Sequence, residues 1–210
     1  GKVTPVAEVD KNLPANRFND GKCDPAGRFW AGTCAKTCDV PGAGALYRLD
    51  PDGTVHNMLD NLTISNGLAW SPDRTTMYFI DTPTMEIRAF EWDARTGDIR
   101  NCRVAVKVPG GIGYPDGMTI DADGMLWVAH WGGSRVCRWN PGTGKNLGEV
   151  MFPAEHVSSC VFGGTGLDTL YVTTSRLGLN AEALKRQPLA GGLFRFVPGV
   201  PGTQTDVFEG

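Results

Sequence analysis

Long apolar runs are missing from this chain: nothing approaches the ~18 consecutive apolar residues of a membrane-spanning helix, so no membrane partner is expected. Concentrated positive charge is missing as well. Twenty Lys and Arg stand against 23 Asp and Glu, a net charge of −3, and the only basic cluster is Lys185-Arg186. With no basic face to neutralise phosphates, no nucleic-acid partner is expected. The first residues, Gly1-Lys2-Val3-Thr4-Pro5, carry no secretory signal core, and a cytoplasmic monomer is the expectation. Helix formers are scarce too, apart from Leu177–Pro188, which predicts a short helix ending before Pro188.

Turn residues, by contrast, are abundant. The 28 Gly and 14 Pro make up a fifth of the 210 residues and are spread evenly, the pattern of many short strands. Six cysteines sit at irregular spacing. Cys23, Cys102, Cys137 and Cys160 have strand-like or apolar neighbours and read as small buried hydrophobes. Cys34 and Cys38 form a lone C-x3-C with no nearby His, a poor zinc motif.

Four segments repeat: Asn19–Thr33, Ser65–Asp81, Pro115–Ala129 and Ser158–Thr174. Each reads as a polar residue, a strand, a Gly/Pro/Asp turn and a second strand with an aromatic. Those aromatics, Trp30, Tyr78, Trp127 and Tyr171, are 48, 49 and 44 residues apart. A third strand follows each hairpin, and a fourth has room after it. Four strands per period of 40 to 50 residues is the signature of a β-propeller, with a sandwich of regularly spaced turns as the alternative. The fold class is therefore all-β, one domain over 1–210, with repeats starting near 19, 65, 115 and 158.

The first strand of each propeller blade lines the central channel. The residues before each glycine, Asp20, Asn66 and Asp116, with Ser159 as the fourth, are thus expected to form a ring. Carboxylates gathered there are costly to bury without a cation, and hard oxygen donors suit Ca²⁺, Mg²⁺ or Mn²⁺ and tolerate Zn²⁺. The competing reading is that each Asn-Gly or Asp-Gly pair makes a tight turn.

Arg17-Phe18-Asn19-Asp20-Gly21-Lys22 with Asp24-Pro25-Ala26-Gly27-Arg28, then Ile64-Ser65-Asn66-Gly67-Leu68 and Pro115-Asp116-Gly117-Met118, resemble the regucalcin/gluconolactonase/luciferin-regenerating family. Gln187-Pro188 leading into Ala190-Gly191-Gly192-Leu193-Phe194 resembles its last blade. The resemblance implies a six-bladed propeller, of which about four blades are present here, holding one divalent cation in its channel. It implies Asn66 and Asp116 as metal ligands, Asp116 also as general base, and Arg17, Asn19 and Asp20 as substrate-binding residues. The implied reaction is hydrolysis of a sugar lactone. Family members carry a further Glu ligand on the first blade, and Glu8 lies too close to Asn19 to be it, so the first two blades and this Glu are expected to be absent. The loop Thr33-Cys34-Ala35-Lys36-Thr37 also departs from the mammalian pattern. Two alternatives follow, a non-catalytic Ca²⁺-linked propeller and an esterase or phosphotriesterase. His130, after the strand Leu126–Ala129, is a further candidate for the same face.

Overall fold

Each repeat folds as an antiparallel meander in the computed structural model, which describes residues 3–210; Gly1 and Lys2, at the head of the stretch read for a signal core, lie outside it. The first sheet is β1 (Asn16–Cys23), β2 (Phe29–Ala35), β3 (Gly44–Leu49) and β4 (Val55–Leu62), in that order. The second is β5 (Ser65–Trp70), β6 (Thr76–Asp81), β7 (Glu86–Trp92) and β8 (Ile99–Lys107). A third meander comprises β9 (Tyr114–Ile120), β10 (Leu126–Trp131), β11 (Arg135–Asn140) and β12 (Lys145–Met151). The last comprises β13 (His156–Gly163), β14 (Thr169–Ser175) and β15 (Leu193–Phe196), and one bridge, Trp131 to His156, joins it to the third.

Apolar burial explains how the sheets are ordered. Trp30, Leu46 and Leu62 of the first sheet pack with Leu68, Trp70, Met77, Phe79, Phe90 and Trp92 of the second. The other face of the second sheet, with Tyr78, Ile80, Ile87 and Val106, packs on Met118, Leu126, Val128 and Cys137 of the third. Trp127, Ala129 and Val136 of the third then meet Cys160, Phe162, Leu170 and Val172 of the last. A strand buried on both faces cannot alternate apolar and polar residues, which is why β5 and β6 are buried almost throughout. Three successive interfaces between four meanders rule out the two-layer sandwich. The first strands also lie in series, β1 against β5, β5 against β9 and β9 against β13, so the arrangement is propeller-like.

The turn after each first strand passes through a left-handed residue: Gly27, Arg74, Gly124 and Leu167. In two of these turns an aspartate organises the loop. Asp24 accepts from the N–H groups of Ala26 and Arg28 and from Trp30 Nε1 at 2.9 Å. Asp121 does the same for Asp123, Met125 and Trp127 Nε1, and also takes Arg138 Nε at 2.7 Å. Both aspartates are fully buried, and each exchanges its hydration for a full set of donors. The expected helix is present as α1 (Ala181–Arg186), with Asn180 Oδ1 capping Ala183 N. Gln187 after it bonds Glu155, pinning the helix beside the start of β13. Among the described residues no helix is long and apolar enough to cross a membrane.

Two cysteine readings change. Cys137 and Cys160 are buried as expected and Cys23 is half-buried, whereas Cys102 is exposed, because β8 is the outermost strand of its sheet.

Candidate active site

The site is built by a backbone irregularity that recurs in every meander. Phe18 pairs with Thr33 and Gly21 with Ala31, so Asn19 and Asp20 together oppose one residue of β2. Asn66 and Gly67 oppose one residue of β6, and Asp116 and Gly117 one residue of β10. In the last meander Ser158 is the extra residue. These are β-bulges, which unpair a residue and re-aim its side chain.

The bulge corrects the ring expected from sequence. Equivalent positions are Asn19, Asn66, Asp116 and Ser158, not Asp20 and Ser159, which fall one residue later. It also settles what the glycines do. Gly67 and Gly117 lie inside strands without positive φ, so the tight-turn reading fails. A Cβ on Gly67 would stand 2.6 Å from Asp116 O, and one on Gly117 would stand 2.3 Å from Ser159 Oγ. Only glycine lets adjacent bulges approach so closely.

Side chains tie one bulge to the next. Asn19 Nδ2 donates to Ser65 O at 2.8 Å, and its Oδ1 accepts from Arg17 Nη1 at 2.8 Å. Thr82, just after β6, donates its hydroxyl to Pro115 O at 2.9 Å. Its oxygen must then accept from Asn66 Nδ2, 3.0 Å away, because a carbonyl offers no proton. This chain fixes the amide orientation of Asn66 and leaves Oδ1 without a protein donor among the described residues. Asp81 accepts from Thr63 N and Ile64 N, holding the entry to β5.

Electrostatics single out Asp116. Burial pushes its carboxyl up to about 7, with the negative charge of Asp20 acting in the same direction and the Asn66 amide and Gly117 N–H acting against. Asp20 is also raised by burial, against the pull of Lys22 and the Gly21 N–H. Lys22 reaches inward from β1 to donate to Met118 O at 2.6 Å, and burial lowers its own titration. Sequence reading missed Lys22, Asp81 and Thr82. Nothing in the sequence marks Asp81 and Thr82, whose partners lie in the link before β5 and on β5 and β9; Lys22 sits within the family motif but has no obvious chemical role there.

The structure thus brings Asn19, Asp20, Asn66 and Asp116 to one end of the sheets. Arg17 is exposed at the edge of this group. His130 does not join it: the ring is wholly buried near Trp139, and among the described residues neither ring nitrogen has a hydrogen-bond partner. Glu8 is exposed beside Lys11. Among the described residues no cluster of three or more His, Cys, Asp or Glu could enclose a metal. A cavity of about 560 Å³ lies elsewhere, between the 24–27 and 70–74 turns and the segment 203–209.

A family model described as the SMP-30/Gluconolactonase/LRE-like region matches residues 1–176. The chain belongs to this family. Regucalcin of Danio rerio is 47% identical over 205 residues, covering 95% of this chain and 69% of that protein. Among family structures, a calcium-binding regucalcin from Agrobacterium tumefaciens superposes with a TM-score of 0.93 at 32% identity, over 99% of this chain and 70% of the other. A luciferin-regenerating enzyme gives 0.89 at 36% identity, over 97% and 69%. The chain spans about two thirds of the length of these family members.

Proposed function

We propose that this chain carries the larger part of a divalent-cation-dependent lactonase site of a six-bladed propeller, acting on a sugar lactone. The observation that supports it most is Asp116: a desolvated carboxyl raised to about 7, set on a bulge beside an amide oxygen with no protein donor. Two half-buried carboxyl groups that repel one another are a poor arrangement for a bare protein and a good one for a cation. The donors present, Asn66 Oδ1 and the Asp116 carboxylate, are hard oxygens that suit Ca²⁺, Mg²⁺ or Mn²⁺ and accept Zn²⁺. Bound there, a divalent cation would supply Lewis-acid polarisation of the lactone carbonyl.

The chain's own residues do the rest. Asp116 takes the proton of the attacking water, the general-base role of a carboxylate set beside the reacting group. Arg17, fixed by Asn19 Oδ1, offers charge-assisted hydrogen bonds to substrate oxygens. Asn19 and Asp20, carried by the bulge of β1, contact sugar hydroxyls. Lys22 counters the charge of Asp20.

Purified protein supplied in turn with Ca²⁺, Mg²⁺, Mn²⁺ and Zn²⁺ is expected to release acid from gluconolactone in a pH-stat with at least one of them. Asp116→Ala should abolish that release; unchanged turnover would refute the mechanism. The likeness to regucalcins, one of them described as calcium-binding, supports a second reading, a Ca²⁺-binding regulatory protein. It predicts metal binding by calorimetry with no hydrolysis above background.

A further inference from the structure

Cys34 and Cys38 take no part in the chemistry above, yet they are brought together beside it. Cys34, wholly buried at the end of β2, pairs across the ladder with Arg17. Cys38 closes the turn that follows, its N–H bonded to Ala35 O at 2.9 Å and its backbone left-handed at φ 58°. The two sulfurs stand 3.7 Å apart. A disulfide requires about 2.05 Å, so closing the gap needs a relative movement of about 1.7 Å, within reach of side-chain rotation. Arg17 Nη2 donates to Cys38 Sγ at 3.1 Å while Nη1 holds Asn19 Oδ1 and Phe18 O. One of the atoms that fix Arg17 is therefore a thiol sulfur.

We infer that Cys34 and Cys38 form a redox-active dithiol, closed to a disulfide by a low-molecular-weight disulfide, and that closure releases Arg17 from Cys38. Cys38 is half-exposed and reacts first; the Cys34 thiol, pushed up to about 11 chiefly by burial, follows. In the first step the Cys38 sulfur attacks the small disulfide, bonding to one half and expelling the other as a thiolate. In the second, the Cys34 sulfur attacks that of Cys38 and expels the remaining half. The protein loses two protons and two electrons, and the small disulfide becomes two thiols. Closing the 3.7 Å gap draws the Cys38 sulfur towards Cys34 and out of its 3.1 Å contact with Nη2, so Arg17 keeps only its bonds to Asn19 and Phe18. The consequence for substrate rests on the role proposed for Arg17; the disulfide itself does not.

The whole chain, reduced and then freed of reductant, is incubated with oxidised glutathione, alkylated and mapped by peptide mass spectrometry. The expected product links Cys34 to Cys38, while exposed Cys102 carries a glutathione adduct as internal control. Cys34→Ser should stop at a glutathione adduct on Cys38, and Cys38→Ser provides a second variant if the first folds poorly. Arg17→Ala should slow closure several-fold, since Arg17 holds Cys38 in place. Free Cys34 and Cys38 after Cys102 has reacted would overturn the dithiol, and an unchanged rate in Arg17→Ala would overturn its link to Arg17. Where gluconolactone is turned over, oxidation should raise KM several-fold with a smaller effect on kcat, reversibly and not in Cys38→Ser, which can carry neither the disulfide nor an adduct at that position. Absence of turnover would count against the lactonase, not against the mapped disulfide.

Discussion

Replacing Asp116 with Asn is expected to stabilise the metal-free protein. The native carboxyl, raised from its ordinary 3.8 to about 7 by burial and then by Asp20, favours the folded state only while it is protonated. That contribution is complete below pH 3.8 and is lost as the pH rises through about 7, because the unfolded chain ionises freely and the folded one does not. At about 1.36 kcal/mol per pH unit the loss reaches about 4 kcal/mol, and about 2 kcal/mol once the group's residual contact with water screens it. Asparagine keeps the shape and stays neutral at every pH. In chelator at pH 8, urea unfolding followed by tryptophan fluorescence should give Asp116→Asn a stability higher by about 2–4 kcal/mol, shrinking to nothing near pH 4. Adding a divalent cation should reverse the ranking, since only the native chain gains the binding energy. Equal or lower stability of the variant at pH 8 would show that the carboxylate is not held at a cost, and the case for a cation there would fail.

Other sites carry their own tests. His130, depressed from 6.5 to about 4 chiefly by burial, gives stability that is present above pH 6.5 and lost as the pH falls through about 4, a loss of about 3 kcal/mol. His130→Phe should flatten the acid limb of Tm against pH, and an unaltered limb would count against this. Gly67→Ala places a Cβ 2.6 Å from Asp116 O and 2.7 Å from Met118 Cβ. It should cost about 1–3 kcal/mol in urea unfolding and weaken cation binding by calorimetry. Asp24→Ala strands the N–H groups of Ala26 and Arg28 and Trp30 Nε1, and thermal unfolding should register a loss of about 3 kcal/mol.

The spacing of Trp30, Tyr78, Trp127 and Tyr171 was a sound guide to the sheets because each pairs with the matching position of its inner strand: Lys22, Ala69, Thr119 and Val161. The equivalent places of Asn66 and Asp116 in their strands were legible for the same reason. Asp20 and Ser159 were misaligned because a glycine is a misleading anchor. In the first meander it follows the two bulge residues, and in the second and third it is one of them. Sequence reading counts residues, whereas a bulge sets two against one. Asp81 and Thr82 left no trace because their backbone partners, the N–H groups of Thr63 and Ile64 and the carbonyl of Pro115, are brought to them only by folding. The isolated thiol pair at Cys34 and Cys38 resembled a failed metal motif, since sequence says nothing about the turn that folds one sulfur back towards the other.

A bulge belongs to the pairing of two backbones, so what it displays can be exchanged without rebuilding what displays it. The chain spells a short word on constant type: Asn19, Asn66, Asp116, Ser158. Each letter sits in its own meander and can be edited there, provided the glycines that let neighbouring letters touch are kept. Ser158, whose hydroxyl is engaged only with Thr173 Oγ1 at 2.9 Å, is the letter least committed to its neighbours. Such a scaffold separates the grammar of folding from the vocabulary of chemistry: the side chain displayed at each bulge can change without a new fold.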